Sequence, residues 1–233
     1  MARSPAPTGG LYEGDHSAAA SALGYLYQCR LALAESLRRL ADGHAFTISI
    51  EALDDVVFDP EGTPLELLQT KHHVRQGANL TDASQELWAT LRVWCDAFTA
   101  GTLPAESVMF LVSMSLVPAG SAASYLGHEN RNVSTAVQRL TATATTSQNQ
   151  SNAAAYQAYL GLTQAQREQL VARTTIIGAS PTILDLDAEI RRIVFYAVER
   201  SFHESFVQRL EGWWWQRVVT HLASAGETIH SEE

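Results

Sequence analysis

The sequence predicts an α/β protein whose first half runs helix, strand, strand, strand, helix, strand and whose second half is mainly helical. Three observations predict it. Apolar residues recur every three to four positions over 18–41 and again over 82–99, the period of an amphipathic helix. Between them, 46–71 holds short strand-like runs separated by turn residues. Val108-Met109-Phe110-Leu111-Val112 is apolar without interruption, as in a strand covered on both faces.

Asp15 or Ser17 is placed to cap the first helix, Ala18 to Ala41. Leu26, Leu33, Leu37 and Leu40 share one of its faces, and Asp42-Gly43 ends it. Phe46-Thr47-Ile48-Ser49-Ile50 alternates as the first strand. After a break at Ala52-Leu53-Asp54, Asp55-Val56-Val57-Phe58 forms the second, and Asp59-Pro60-Glu61-Gly62 is a turn. Leu65 to Lys71 is the third strand, antiparallel to the second, and Val74 to Asn79 is a polar loop. Thr81 or Asp82 caps the next helix, which runs to Thr99 with Leu87, Leu91, Trp94 and Phe98 on one face.

Beyond Pro118 the pattern changes. Thr141 to Asn152 is rich in Thr, Ser, Gln and Asn and reads as a loop or a frayed helix end. Ala153 to Leu160 and Thr163 to Ala172 read as short helices, with Thr163 and Gln166 at capping-box spacing. Thr174 to Ile177 reads as a short strand, and Asp187 to Leu222 as helix interrupted near Gly212. The expected division is a Pro/Gly-rich, disordered lead-in over 1–16, the α/β core over 17–117, and a helical region over 118–233 that packs on the core and docks a partner.

With 46% hydrophobic and 18% charged residues in 233, the composition is that of an ordinary soluble globular protein. No apolar run of ~18 residues is present, so no membrane span is expected, and the N-terminus lacks an apolar signal core. Cys29 and Cys95 sit inside apolar helical patterns and are expected as buried free thiols. A cytoplasmic location follows from these observations. The formal net charge of -9 argues against a protein that coats nucleic acid by charge alone. An enzyme that cuts it needs only a local basic surface, because bound metal neutralises its acidic centre.

Cutting a phosphodiester requires an activated water and a counter-charge for the phosphorane. A divalent ion held by hard oxygen ligands provides both, and a neighbouring lysine orients the water or stabilises negative charge. One compact layout places an acid at the start of one hairpin strand, and an oxygen ligand and a lysine two residues apart on the other. Asp55 opens the second strand, and Gln69 and Lys71 share a face of the third while Thr70 points away. The 13 residues from Val56 to Leu68 suit a hairpin that returns Gln69 beside Asp55. Gln69 is a neutral ligand, and Glu51 at the end of the first strand is placed to supply the missing charge. Glu35 lies seven residues from Gln28 on one face of the first helix. It reads either as a further metal ligand or as a solvated surface charge. Plain alternatives stand beside each: Asp54-Asp55 as a turn end, Gln69-x-Lys71 as an ordinary strand pair.

The stretches Gly24-Tyr25-Leu26-Tyr27-Gln28, Ile50-Glu51-Ala52-Leu53-Asp54-Asp55-Val56 and Leu67-Leu68-Gln69-Thr70-Lys71-His72-His73 resemble a known group. It is the double-stranded DNA endonuclease domain of CD-NTase-associated antiphage effectors, with the similar N-terminal domains of ABC-three-component conflict systems. These are bacterial defence proteins of the PD-(D/E)xK superfamily. The resemblance covers Ser17 to Ser115, and Leu210 to Trp215 also resembles a segment that follows this domain in the three-component proteins. It implies a restriction-endonuclease-like α-β-β-β-α-β core with a helical C-terminal region. It also implies cleavage of double-stranded DNA that depends on Mg²⁺ (or Mn²⁺), and a defence-system partner subunit or a homo-oligomer. The Gln-x-Lys form resembles that of Mrr-like restriction enzymes. Carried over, Asp55 is the metal-binding acid, Gln69 the ligand on the third strand and Lys71 the catalytic lysine. Such effectors continue into a sensor or partner-binding domain. The expectation is thus a shortened effector, part of a longer one, or a subunit whose sensor is on another chain. The alternative function is a catalytically inactive adaptor of the same fold that binds an ATPase or sensor subunit.

Several other residues carry two readings. His72 and His73 point to opposite faces, so one could contact phosphate, or both simply end a strand. Asn79, Thr81 and Ser84 mark a helix N-terminus that either holds a phosphate or is plainly capped. Trp213-Trp214-Trp215 spans ~200° of a helix. Either that helix lies between two layers, or one tryptophan meets another chain or stacks on a base. Arg191, Arg192, Arg200, Arg209 and Arg217 form either a solvated face with local ion pairs such as Glu189 with Arg192, or a DNA-backbone track.

Overall fold

The computed structural model describes residues 18–50, 55–60, 65–71, 78–224 and 228–232. The expected lead-in, the caps at Asp15 and Ser17, Glu51, the 52–54 break, and His72 and His73 lie outside the described residues. The elements are α1 (Ala18–Ala41), β1 (Phe46–Ile50), β2 (Asp55–Pro60), β3 (Glu66–Lys71), α2 (Gln85–Ala100) and β4 (Val108–Ser113). They continue with α3 (Val133–Thr146), α4 (Ala153–Gly161), α5 (Gln164–Ala172), β5 (Thr174–Ile177), α6 (Ile183–Ile193), α7 (His203–Ala223) and β6 (Ile229–His230). Among the described residues this is a mixed α/β protein with a six-strand sheet and seven α-helices.

The sheet order is β5-β4-β3-β2-β1-β6. Strands β1, β2 and β3 form an antiparallel meander, β4 and β5 add in parallel to β3, and β6 pairs antiparallel with β1. A parallel step needs a crossover, and α2 supplies the one between β3 and β4. Both edge strands, β5 and β6, come from the second half of the chain. That half therefore completes the sheet as well as covering it.

Each face of the sheet has its own core. Helices α2 to α5 cover one face, where Met109, Leu111 and Ile176 are buried with Leu87, Leu91, Trp94 and Leu140. Helices α1, α6 and α7 cover the other, over Ile48, Ile50, Val56, Phe58, Leu68 and Val112. The unbroken apolar run of β4 follows directly: Met109 and Leu111 enter the first core, Phe110 and Val112 the second. Trp88 anchors the first core. It is fully buried, packs edge-on against Tyr156 and Tyr159, and its indole N–H donates to the carbonyl of Asp82 at 2.6 Å.

Two sequence expectations are corrected and one left open is decided. Helix α2 begins at Gln85, later than Thr81 or Asp82 suggested. The Asp82 carboxylate is engaged elsewhere: it accepts from the Ala122 N–H at 2.6 Å and pairs with Arg139 at 2.6 Å. Ser84 occupies the cap position without a side-chain cap bond. Of the two readings of Thr141 to Asn152, the helix end holds for Thr141 to Thr146, the last turns of α3. The hydroxyls of Thr145 and Thr146 donate back to the carbonyls of Thr141 and Ala142, so they do not compete with the helix. Finally, α7 runs unbroken through Gly212, and the interruption lies at 194–202.

Helix α6 begins with a capping box that the sequence reading passed over. The Thr182 hydroxyl and the Asp185 N–H meet at one side, and the Asp185 carboxylate and the Thr182 N–H at the other. The Thr182 hydroxyl and N–H hold the Asp185 carboxyl below its ordinary range. The cap is therefore complete above that range and weakens as pH falls through it. Thr182→Ala is expected to cost about 1 kcal/mol in urea denaturation at neutral pH. The difference from the parent should shrink in acid.

Candidate active site

The meander brings the predicted residues to one end of the sheet. Asp55, the first residue of β2, lies directly opposite Gln69 on β3. Lys71, the last residue of β3, is two positions further on and opposite Ser113 of β4. Residues opposite one another in a ladder share a face, as do residues two apart on a strand. Positions 55, 69 and 71 therefore occupy one face, and position 70, opposite Val112, the other. The shared face is the one α2 covers, because Gln69 is in register with Leu111 of the α2-side core.

Gln69 is 0% exposed, and neither its side-chain oxygen nor its nitrogen has a hydrogen-bond partner. Burying an amide without partners costs about 1–3 kcal/mol. The unengaged oxygen is open to an external partner. An amide oxygen is a hard, neutral ligand of the kind Mg²⁺ accepts, so Gln69 fits a divalent ion together with an acid at position 55. Among the described residues no three His, Cys, Asp or Glu side chains gather as a metal cluster. Gln69→Leu is expected to stabilise the metal-free protein by about 1 kcal/mol, because it removes an unsatisfied buried amide. The same variant should lose any rise in melting temperature on adding Mg²⁺, read by calorimetry with and without chelator.

The structure does not bring Glu35 to this group. Glu35 stands on α1, which covers the opposite face of the sheet. Its carboxylate pairs with Arg38 and, at 2.8 Å, with Arg39. Arg39 continues to Glu66 at 2.5 Å and lies 3.9 Å over the Phe58 ring. The expected metal role of Glu35 is thus replaced by an ion-pair cluster between α1 and β3.

Sequence reasoning missed a polar cluster on the correct face. Glu86, in the first turn of α2, is only 9% exposed. The Ser115 hydroxyl donates to its Oε2 at 3.0 Å, and the Ser115 N–H donates to the Ser113 hydroxyl at 3.0 Å. Thr90, one helical turn beyond Glu86, is fully buried as well. The available signal was a Glu86/Thr90 pair, four residues apart, beside the buried Leu87 and Leu91 stripe.

The remaining candidates take structural roles. Asn79 forms a bridge with Leu116 just before α2. Of the three tryptophans, Trp214 is buried with its indole N–H on the Cys29 carbonyl at 2.9 Å, and Trp215 packs on the same core. Trp213 remains 37% exposed beneath Arg217. Arg191 pairs with Asp187 and Glu204, and Arg192 with Glu189, as the local-pair reading expected. Arg30 of α1 bridges Asp187 and Glu211, tying α1 to α6 and α7. Cys29 and Cys95 are free and buried, and burial pushes their thiols up to about 11 and about 12. His221 of α7 sits 3.1 Å from the backbone of Ile50 and fastens α7 at the site end of β1. No helix among the described residues is long and apolar enough to cross a membrane.

This architecture, a mixed sheet with a helical layer on each face, recurs in solved proteins. One is the Cap4 SAVED/CARF-domain containing receptor of Moraxella osloensis, at 15% identity and a TM-score of 0.53, with 89% of this chain and 44% of that chain covered. Another is the Acinetobacter baumannii Cap4 SAVED/CARF-domain containing receptor with the cyclic trinucleotide 3'3'3'-cAAA, at 15% identity and a TM-score of 0.50, with the same coverage of 89% and 44%. The chain thus spans less than half the length of these receptors. No protein-family model and no curated protein matches the sequence.

Proposed function

We propose that the chain is a metal-dependent double-stranded DNA endonuclease of a bacterial antiphage defence system, built on a restriction-endonuclease-like core. The observation that carries this reading is the register of the hairpin. It sets Asp55 opposite Gln69 with Lys71 two residues on, on one face, and Gln69 is buried there with its amide unengaged. The meander followed by a helix and a parallel fourth strand is the order that such a core requires. The fold shared with Cap4 receptors supports the defence setting, as does the resemblance to CD-NTase-associated effectors.

In this reading the carboxylate of Asp55 and the amide oxygen of Gln69 hold a Mg²⁺ or Mn²⁺ ion. When bound, the ion lowers the pKa of a water and neutralises charge on the phosphate. The protein's own part is positioning. The β2–β3 ladder sets positions 55 and 69 across one strand spacing. Position 71 shares that face by register, and its ammonium is assigned to orienting the attacking water and stabilising the phosphorane's negative charge. Burial keeps the Gln69 amide from being taken up by bulk water, so its orientation needs no rearrangement when the ion arrives.

The direct test is conversion of supercoiled plasmid to nicked and linear forms by the purified chain. It is run with Mg²⁺, Mn²⁺ or chelator, with and without the products of neighbouring genes. Metal-dependent cutting is the expected result. A second reading has one observation in its favour: a similar receptor was solved with a cyclic trinucleotide. A rise in melting temperature with 3'3'3'-cAAA, but none with Mg²⁺ and no cutting, would favour that ligand-sensing reading. No response to either would favour the inactive adaptor.

A further inference from the structure

We infer that the cleft at the carboxyl ends of β4 and β5 seats an unpaired nucleoside of the DNA strand being cut, an inference that rests on the nuclease reading of positions 55, 69 and 71. The register carries the candidate site to this cleft. Position 55 lies opposite Gln69, Gln69 opposite Leu111, and Leu111 opposite Ile176. Register partners share a face, so one row runs across the sheet from position 55 to Ile176. Ile176 lines a cleft of about 740 Å³, the size of a small-molecule site. Two strand spacings, about 10 Å, separate Ile176 from position 69. At a rise of about 3.4 Å per nucleotide, that is about three nucleotides along a bound strand.

The chemistry of the walls selects a nucleoside and not a phosphate. Val117, Ile176 and Ile177 give an apolar wall. Asn79, His128 and Asn130 are exposed along it and offer amide and imidazole donors and acceptors. Among the described lining residues there is no lysine or arginine, and Glu129 is exposed there, so a phosphate gains no counter-charge. The neighbouring Arg131 donates to the backbone carbonyls of Leu126, Thr174 and Ala172. A base suits this lining: its ring takes the apolar wall and its polar edge takes the amides. A base paired inside a duplex cannot enter a concave site, so the nucleoside is an unpaired one. The cleft is also held in shape. Beyond β5 the chain turns back on β4: the Ala179 N–H donates to the Ser115 carbonyl at 2.9 Å and the Ser180 N–H to the Ser113 carbonyl at 2.9 Å. Ala179 takes a φ of 52° there, in the left-handed region that alanine rarely adopts. A Cβ at Gly178 would collide with the Val117 side chain, so only glycine lets that wall lie against the turn. Strained backbone of this kind clusters at ligand sites.

Two duplexes test the inference, one fully paired and one holding a single bulged 2-aminopurine. With Mg²⁺ the parent should cut the bulged duplex about tenfold faster or more, because the bulge spares the cost of unpairing. The cut should fall about three nucleotides from the bulge. In chelator, binding should change the 2-aminopurine fluorescence. Gly127 supplies the blocking variant: it lines the cleft with an extended backbone, and a Cβ there meets nothing nearer than 3.8 Å. Gly127→Leu should melt with the parent, lose the fluorescence response and cut both duplexes at one rate. If Gly127→Leu does not fold, Asn130→Ala, at an exposed position, takes its place, and the preference should fall about threefold with the loss of one hydrogen bond. Equal cutting of the two duplexes by the parent, or a preference that survives the variant, overturns the inference. A response to free 3'3'3'-cAAA but none to the bulged duplex would give the cleft to a free nucleotide and overturn it too. No cutting by the parent, beside a fluorescence response that the variant abolishes, would reject the nuclease reading and leave the cleft a nucleoside site.

Discussion

Lys71→Ala is expected to lower Mg²⁺-dependent plasmid cleavage by a factor of about 10³ or more while leaving the melting profile cooperative. The magnitude follows from its assigned role. A group that stabilises charge developing at the phosphorane acts in the transition state and not in the ground state, and losing one such group costs about 10²–10³. The further loss comes from water orientation, which the ammonium also provides. Binding of duplex DNA should change little, because one cation among many phosphate contacts contributes modestly to affinity. The check is single-turnover cleavage beside a filter-binding or fluorescence titration with the same duplex. Equal cleavage by Lys71→Ala and parent would remove Lys71 from the chemistry and with it the central assignment.

The largest expected effect on folding is that of Trp88→Ala. Trp88 is fully buried against Tyr156 and Tyr159, with ring centroids at 4.6 and 5.6 Å. Its truncation leaves a cavity where α2 meets α4 and frees the Asp82 carbonyl from its indole donor. Large aromatic-to-alanine changes in cores cost about 3–5 kcal/mol. In a chain of this size that lowers the melting temperature by about 10 °C. Circular dichroism melts give the value directly. The effect has a functional consequence as well, since α2 covers the face of the sheet that holds position 69. A Trp88→Ala protein should lose metal-linked stabilisation sooner on warming than it loses helix. Trp88→Phe, which keeps most of the ring packing, should recover most of the loss.

Much of the fold is legible in the residues because its signals are local. The bounds of α1 and β1 follow from periodicity and from Gly43, whose φ of 77° suits the end of a helix. The capping box of α5, with Thr163 and Gln166, is a four-residue signal and is present. The antiparallel pairing of β2 and β3 follows from hairpin length, and it carries Asp55 to Gln69. Where a distant partner competes, local signals mislead. Asp82 has cap chemistry, but Ala122 and Arg139 claim its carboxylate. Gly212 looks like a break, yet α7 continues through it, braced on the sheet by Trp214, Val218 and His221.

The candidate site divides in the same way. An acid, an amide and a lysine at strand spacing could be read directly, because period-two geometry needs no tertiary information. The role of Glu35 could not, since nothing in its spacing says which face of the sheet α1 covers. Its carboxylate went to Arg38 and Arg39 on the opposite side. Glu86 was invisible for the converse reason: it is 15 residues beyond Lys71 in the chain and reaches the site end only when α2 crosses over.

By itself, then, the sequence determined which segments are helix and strand in the first half, which strand is covered on both faces, and that positions 55, 69 and 71 can share a side. These are properties of repeat period and turn chemistry, which act over a few residues. Only the tertiary structure decided that β5 and β6 close the two edges, that Gln69 is buried with its amide free, and that Glu35 pairs with Arg38 and Arg39 on the opposite face. Those outcomes depend on which helical layer packs on which face. That choice is made by the summed burial of side chains far apart in the chain, and no local pattern records it.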